Sequence, residues 1–235
     1  MQFTPVADGL YRLDIPFDHL YTSVFLLTGE ENIIIDAATT RSDVYDLILP
    51  ALAEMGIEKA SLLLTHRHGD HSGGAPFLSQ ALEGITLVPV FAGQTVGRVT
   101  AIPVGGHTED SLGYYDAQTG TLLCGDGLQF FGVGKYGCSI VDASLYEATL
   151  SRVRALDAHA ILPSHDFIGG SASAVGKEAV TALLDAAESI WNEIKAFILS
   201  HPADSDPFEV VRAWKDAYPS RPPLPSITVK AVCAL

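Results

Sequence analysis

The chain has 235 residues, 48% of them hydrophobic, with 21 glycines and 13 prolines, which fits one large turn-rich domain or a domain with a modest extension. Its 28 acidic against 14 basic residues give a formal net charge of −14, which argues against a protein that grips nucleic acid through phosphates. No apolar run approaches the roughly 20 residues of a membrane helix, MQFTPVADGLYRLD has neither region of a secretory signal, and three cysteines outside any CxxC disfavour a disulfide scaffold, so the cytoplasm is the expected compartment. In chain order, alternating and apolar runs predict strands at Leu10–Leu13, Val24–Leu27 and Ile33–Ile35. A helix over Ser42–Met55 follows, with Pro50 expected to kink or interrupt it. Then come a strand ending at Thr65, a histidine-rich loop, and a short helix from Ala75 to Leu82. Further strands are expected at Ile85–Phe91, Val99–Val104, Leu112–Tyr115 and Thr121–Cys124, then a helix over Ser144–Leu156 and a strand at Ala160–Pro163. Beyond Ala172, Val180, Leu183, Leu184, Ala187, Ile190, Trp191, Ile194, Phe197 and Ile198 recur at helical spacing. A second helix is expected at Phe208–Tyr218, and a strand in the tail at Ser226–Val229. This order predicts an α/β or α+β sandwich, with a domain over 1–171 and a helical extension over 172–235 packing on it.

The loop THRHGDHSGG places His66, His68, Asp70 and His71 within six positions directly after an apolar strand. Imidazole nitrogen and carboxylate oxygen together suit borderline divalent ions, and one ion needs three or four such donors. This loop can therefore supply parts of two sites, with the remaining ligands at other strand ends. Three apolar runs end in a ligand-type residue beside Gly or Ser: His107 after Gly105-Gly106, Asp126 between Gly125 and Gly127, and His165 after Ser164. An exposed polar loop would account for residues 66–71 but not for the three later positions.

The pattern T-H-x-H-x-D-H-x-G-G with downstream His, Asp and His resembles the metallo-β-lactamase superfamily over roughly Gly9 to Phe167. The resemblance implies an αβ/βα four-layer sandwich with a site at the open edge between two sheets. It implies a first metal on His66, His68 and His107, a second on Asp70, His71 and His165, and Asp126 bridging them. Two divalent ions are expected, zinc first, with iron or manganese as alternatives. Asp36, in a segment similar to the family's I-D-x-G, is expected to orient the ligand loop, although Ala38 stands where the family has glycine. The second motif position is His68 rather than Glu, and the bridging position is Asp126 rather than Cys, which sets aside the flavodiiron and antibiotic-hydrolysing branches.

The implied activity is hydrolysis of a small thioester, ester or lactone. Two ions roughly 3.5–4 Å apart would bring a bridging water towards neutral pKa, and Asp70 would orient the hydroxide and take its proton. Residues Gly125 to Tyr136 resemble a glyoxalase II loop, which makes Lys135 a candidate binder of a substrate carboxylate. Phe167 stands where that family has Tyr, and the C-terminal helical segment is shorter than its glutathione-binding domain. His19 and Tyr21, in a loop that borders the site in the superfamily, are candidate substrate contacts. The expected partner is a small molecule, with neither nucleic acid nor membrane, and the Trp191 stripe is either core, a homodimer face or a pocket lid. Rival readings are a mononuclear iron oxygenase resembling persulfide dioxygenases, a phosphodiesterase of the same superfamily, and a metal-bearing scaffold without catalysis.

Overall fold

The computed structural model describes residues 1–128, 137–165 and 173–235. Two mixed six-stranded sheets organise them, and the chain divides into two compact units, Met1–Ile102 with Leu112–Leu123 and Pro103–Ser111 with Cys124–Leu235.

In the first unit, β1 (Thr4–Ala7), β2 (Leu10–Phe17), β3 (Leu20–Leu27), β4 (Ile33–Ile35), β5 (Ala60–Leu63) and β6 (Ile85–Leu87) lie side by side in chain order. The first four form an antiparallel meander; β4, β5 and β6 run parallel, with Ile35 opposite Leu63. Parallel strands need crossover connections, and helical segments supply them here. Between β4 and β5 the chain makes wide π-type turns over Asp43–Ile48, then winds as α1 (Leu49–Glu54). Pro50, which has no N–H to donate, sits in the first turn of α1, so the expected interruption is a change of winding. Between β5 and β6 lie α2 (Gly69–Ser72) and α3 (Ala75–Ala81). Leu13, Ile15, Val24, Leu26 and Ile34 from the sheet bury against Val44, Ile48, Leu52 and Leu78. Strand β6 stops at Leu87 rather than at Phe91, because Val88 makes one more ladder bond to Leu62 and Pro89 has no N–H to continue it.

The second sheet has the order β12-β11-β10-β9-β8-β7, from β7 (Thr95–Val96), β8 (Val99–Pro103), β9 (Leu112–Asp116), β10 (Thr121–Gly125), β11 (Ala160–Pro163) and β12 (Ala174–Val175). The short strands β1, β7 and β12 were not expected from the sequence. In the second unit, α4 (Ala143–Ala155) starts on an Asp142 cap, and α5 (Lys177–Leu199) buries Val180, Leu183, Leu184, Ala187, Trp191, Ile194 and Ile198, the expected stripe without Ile190 and Phe197. Trp191 meets Tyr146 edge-on at 5.3 Å between centroids, and its Nε1–H donates to Glu147, so it belongs to the core of this unit. After α6 (Pro207–Ala217), the tail is a helix, α7 (Ser226–Cys233), not the expected strand. Pro225 precedes its first turn, and Thr228, Val229, Ala231 and Val232 are buried along one side, a helical rather than an alternating pattern. Among the described residues no helix is long and apolar enough to cross a membrane.

Candidate metal centre

In the first unit the ligand loop is built on a close backbone crossing. A Cβ on Gly74 would lie 1.9 Å from the Ala37 carbonyl oxygen, and one on Gly73 would lie 2.2 Å from that of Thr39. Only glycine lets α2 approach this closely, and the approach is fastened by Ala37 N–H to His71 O and Gly74 N–H to Ala38 O. Asp36 and Ala38 both take left-handed backbone, with φ of 63° and 56°. That conformation is why the family's glycine suits position 38; the alanine here bears a steric cost of about 1–2 kcal/mol.

Asp36, wholly buried, is the hub of this unit's polar network. Its Oδ1 accepts from Thr65 N–H at 2.8 Å; its Oδ2 accepts from the Thr65 hydroxyl at 2.8 Å and from His71 Nδ1 at 2.8 Å. Since the carboxylate only accepts, His71 carries a proton on Nδ1 and turns Nε2 towards Asp70. With its own proton given to Asp36, the Thr65 oxygen at 3.1 Å accepts from His66 Nδ1, and His66 Nε2 lies 3.0 Å from His68 Nδ1. Tyr114 closes the loop from β9 by donating to Leu64 O at 2.7 Å; burial and then the Asp36 charge hold its phenol protonated.

The second unit carries the other three residues. The turn before His107 is held by the Thr149 hydroxyl on Gly105 O and by the Val141 and Asp142 N–H groups on Gly106 O. His107 Nδ1 lies 2.9 Å from Ser139 O, an acceptor only, so this ring too has Nδ1–H. That Nε2 faces Asp126 Oδ2 at 3.6 Å, and His165 Nε2 faces Asp126 Oδ1 at 3.4 Å. Cys124, fully buried, has its thiol pKa raised by burial and then by the Asp126 charge, so it is a protonated core residue.

The side chains that could hold a metal ion are His66, His68, Asp70 and His71 in the first unit and His107, Asp126 and His165 in the second. The donor chemistry fits divalent ions. Nε2 of His71 and Nε2 of His107 face carboxylate oxygens of Asp70 at 3.5 Å and Asp126 at 3.6 Å, the nitrogen and oxygen donor pairing that suits borderline divalent ions.

The remaining candidates are placed less informatively. His19 occupies the two-residue turn between β2 and β3, exposed, with Nδ1 at 3.1 Å from Asp18. Tyr21 lies under the Arg12 guanidinium at 5.5 Å. Lys135 and the rest of the Gln129–Tyr136 loop lie outside the described residues, as does Phe167. The orienting roles of Thr65 and of the Ser139 carbonyl were not anticipated. For Thr65 the signal was present, a hydroxyl directly before His66; a backbone carbonyl leaves none.

Two mixed sheets with helices and a His/Asp metal cluster define a metallo-β-lactamase-type fold. Residues 18–89 match the family model described as the metallo-beta-lactamase superfamily. It is similar to a metallo-beta-lactamase family protein from Thermus thermophilus, with TM-score 0.69 and 20% identity over 97% of this chain and 92% of that one. It is 31% identical over 162 residues to a hydroxyacylglutathione hydrolase of Dechloromonas aromatica, covering 62% of this chain and 55% of the relative. It is 29% identical over 153 residues to atrochrysone carboxyl ACP thioesterase AgnL7 of Paecilomyces divaricatus, covering 59% and 48%. The chain thus spans about half the length of these curated relatives.

Proposed function

We propose that this chain is a two-metal hydrolase acting on a small acyl thioester, with esters and lactones as secondary substrates. The observation that carries the reading is the donor set, four His and Asp side chains in the first unit with His71 Nε2 facing Asp70, and three in the second with His107 and His165 Nε2 facing Asp126. The names of two relatives, an acylglutathione hydrolase and an acyl-carrier-protein thioesterase, support the thioester. Bound divalent ions would lower the pKa of a water towards neutrality and polarise the scissile carbonyl. Within the chain, Asp36, Thr65 and Ser139 O would keep the Nδ1 protons of His71, His66 and His107 away from the reaction centre. Asp70, half-buried beside His71, would orient the attacking water and accept its proton at a carboxylate oxygen. A thiolate leaves more readily than an alkoxide, since a free thiol has a pKa near 8.5, so no strong protein acid is required. A net charge of −14 supports a small substrate over a polyanion.

The test is elemental analysis of the purified chain, then a panel of thioesters, lactones and phosphodiesters on the same sample. The reading expects about two transition-metal ions per chain and the highest kcat/KM on a thioester. One ion at saturation would favour the mononuclear iron alternative, and an oligonucleotide turned over faster than every thioester would favour the phosphodiesterase. Lys135→Ala should raise KM for carboxylate-bearing thioesters roughly 5- to 150-fold, as loss of a charge-assisted contact worth on the order of 1–3 kcal/mol, and neutral ones far less.

A further inference from the structure

The geometry points to Thr228, in the C-terminal helix α7, as a positioning residue for His107. Three observations in the second unit carry it. The Thr228 hydroxyl is fully buried, accepts from Ile140 N–H at 2.9 Å and donates to Cys138 O at 2.8 Å. Ser139 O accepts from His107 Nδ1 at 2.9 Å. Gly137, at φ 73°, packs so closely on Pro223 that a Cβ there would lie 2.0 Å from the Pro223 carbonyl oxygen.

The link between them is covalent geometry. Ser139 C=O and Ile140 N–H are the two ends of one peptide unit, planar and trans, and they point in opposite directions. By holding the N–H end, Thr228 aims the C=O end at the His107 ring. Its second bond, to Cys138 O, fixes the preceding peptide unit as well. The run Thr228 Oγ1, H–N of Ile140, C=O of Ser139 and H–Nδ1 of His107 is a hydrogen-bonded chain whose members polarise one another. It delivers His107 with Nδ1 protonated and Nε2 turned to the opposite side of the ring, the orientation a metal ligand needs. Pro223 and Thr228 together make the C-terminal segment the anvil on which residues 137–140 are set. The inference rests on the two-metal reading for its functional meaning, while the orientation of the ring is a separate observable.

The experiment compares full-length Thr228→Val, Thr228→Ala and Thr228→Ser with the parent chain. Valine preserves shape and removes the oxygen, alanine removes it with less crowding should valine not fold, and serine restores it. In metal-stripped protein, NMR of 15N-labelled histidine follows solvent exchange of the His107 Nδ1 proton. In zinc-loaded protein, chelator competition measures each ion separately. Valine and alanine should speed that exchange and weaken one of the two ions about 10-fold, the lower end for lost outer partners of metal ligands. Serine should stay close to the parent in both. Folded valine or alanine variants with parental exchange at His107 would overturn the inference, as would equal weakening of both ions that serine does not rescue. Were the parent chain to bind no metal, the two-metal reading would fail while the exchange arm still decided the link.

Discussion

Replacing Asp36 by asparagine keeps the side chain's shape and, because asparagine tolerates left-handed backbone, its φ of 63°. One carboxylate oxygen becomes an NH2. The bond to Thr65 N–H survives if the amide oxygen takes the Oδ1 place. The NH2 then confronts two donors, the Thr65 hydroxyl and His71 Nδ1–H, which now lie 2.8 Å from Oδ2. The hydroxyl can turn to accept, but reversed it donates to His66 Nδ1 instead of accepting from it. His71 escapes only by moving its proton to Nε2, on the face it offers to a metal. A hydrogen bond to a charged group is worth about 1.5–3 kcal/mol, so metal-free Asp36→Asn should lose roughly that much stability in urea unfolding. Outer partners of ligating histidines are worth about 10- to 100-fold in metal affinity, or about 1.4–2.7 kcal/mol. The two ranges overlap because the same bond is lost in both. Both ions should weaken, since the motif implies His66 for one ion and His71 for the other, whereas Thr228→Val should weaken one. Chelator competition with zinc measures the affinities, and 15N-histidine spectra report the tautomers. An Asp36→Asn protein that binds two ions with parental affinity and keeps His71 protonated on Nδ1 would refute the hub.

Arg98→Met should be strongly destabilising, by about 3 kcal/mol or more, because it strands the fully buried Asp116 carboxylate, to which Arg98 donates two bonds, and releases the Asp8 and Thr28 carbonyls. Burial alone would raise the Asp116 pKa, but hydrogen bonds from Arg98 and Thr119 hold it below the ordinary value; this stability is full above the unfolded carboxyl's pKa of about 3.9 and lost as pH falls through the lower folded value, so the gap between parent and variant should close in acid titrations of urea stability. Burial pushes the Cys138 thiol up to about 12 and the Cys124 thiol further, while Cys233 is exposed, so a thiol reagent at neutral pH should label one cysteine per folded chain and three after denaturation; two fast thiols would contradict this packing.

The candidate ligands stood out because metal chemistry restricts residue type so sharply: four donors within six positions, then single donors at the ends of apolar strands. The α5 stripe was legible because its period extends over many turns. The tail was not. Ser226-Ile227-Thr228-Val229 is rich in β-branched residues, and only its burial against α5 and α6 in the second unit selects a helix. The division of labour behind the ligands was also hidden. Asp36 stood out as a candidate, yet nothing in the letters says that it acts on His66 through Thr65, or that a carbonyl between Cys138 and Ile140 sets the ring of His107. Peptide orientation has no residue type, so those assignments had to come from coordinates.

The crowding of His66, His68, Asp70 and His71 into one short loop also bears on how the chain acquires its ions. These four are neighbours by covalent connection, so an unfolded chain already offers them as a loose chelate. Asp36 reaches the loop only once β4 has paired with β5, and His107, Asp126 and His165 arrive only with folding. Metal binding stabilises a fold by the difference in affinity between folded and unfolded chains, and any grip by the unfolded chain subtracts from it. A nascent or refolding chain that meets zinc early would hold it in the local quartet with unset tautomers. The order of events, strand pairing first and metal second, therefore matters to the yield of correctly loaded protein.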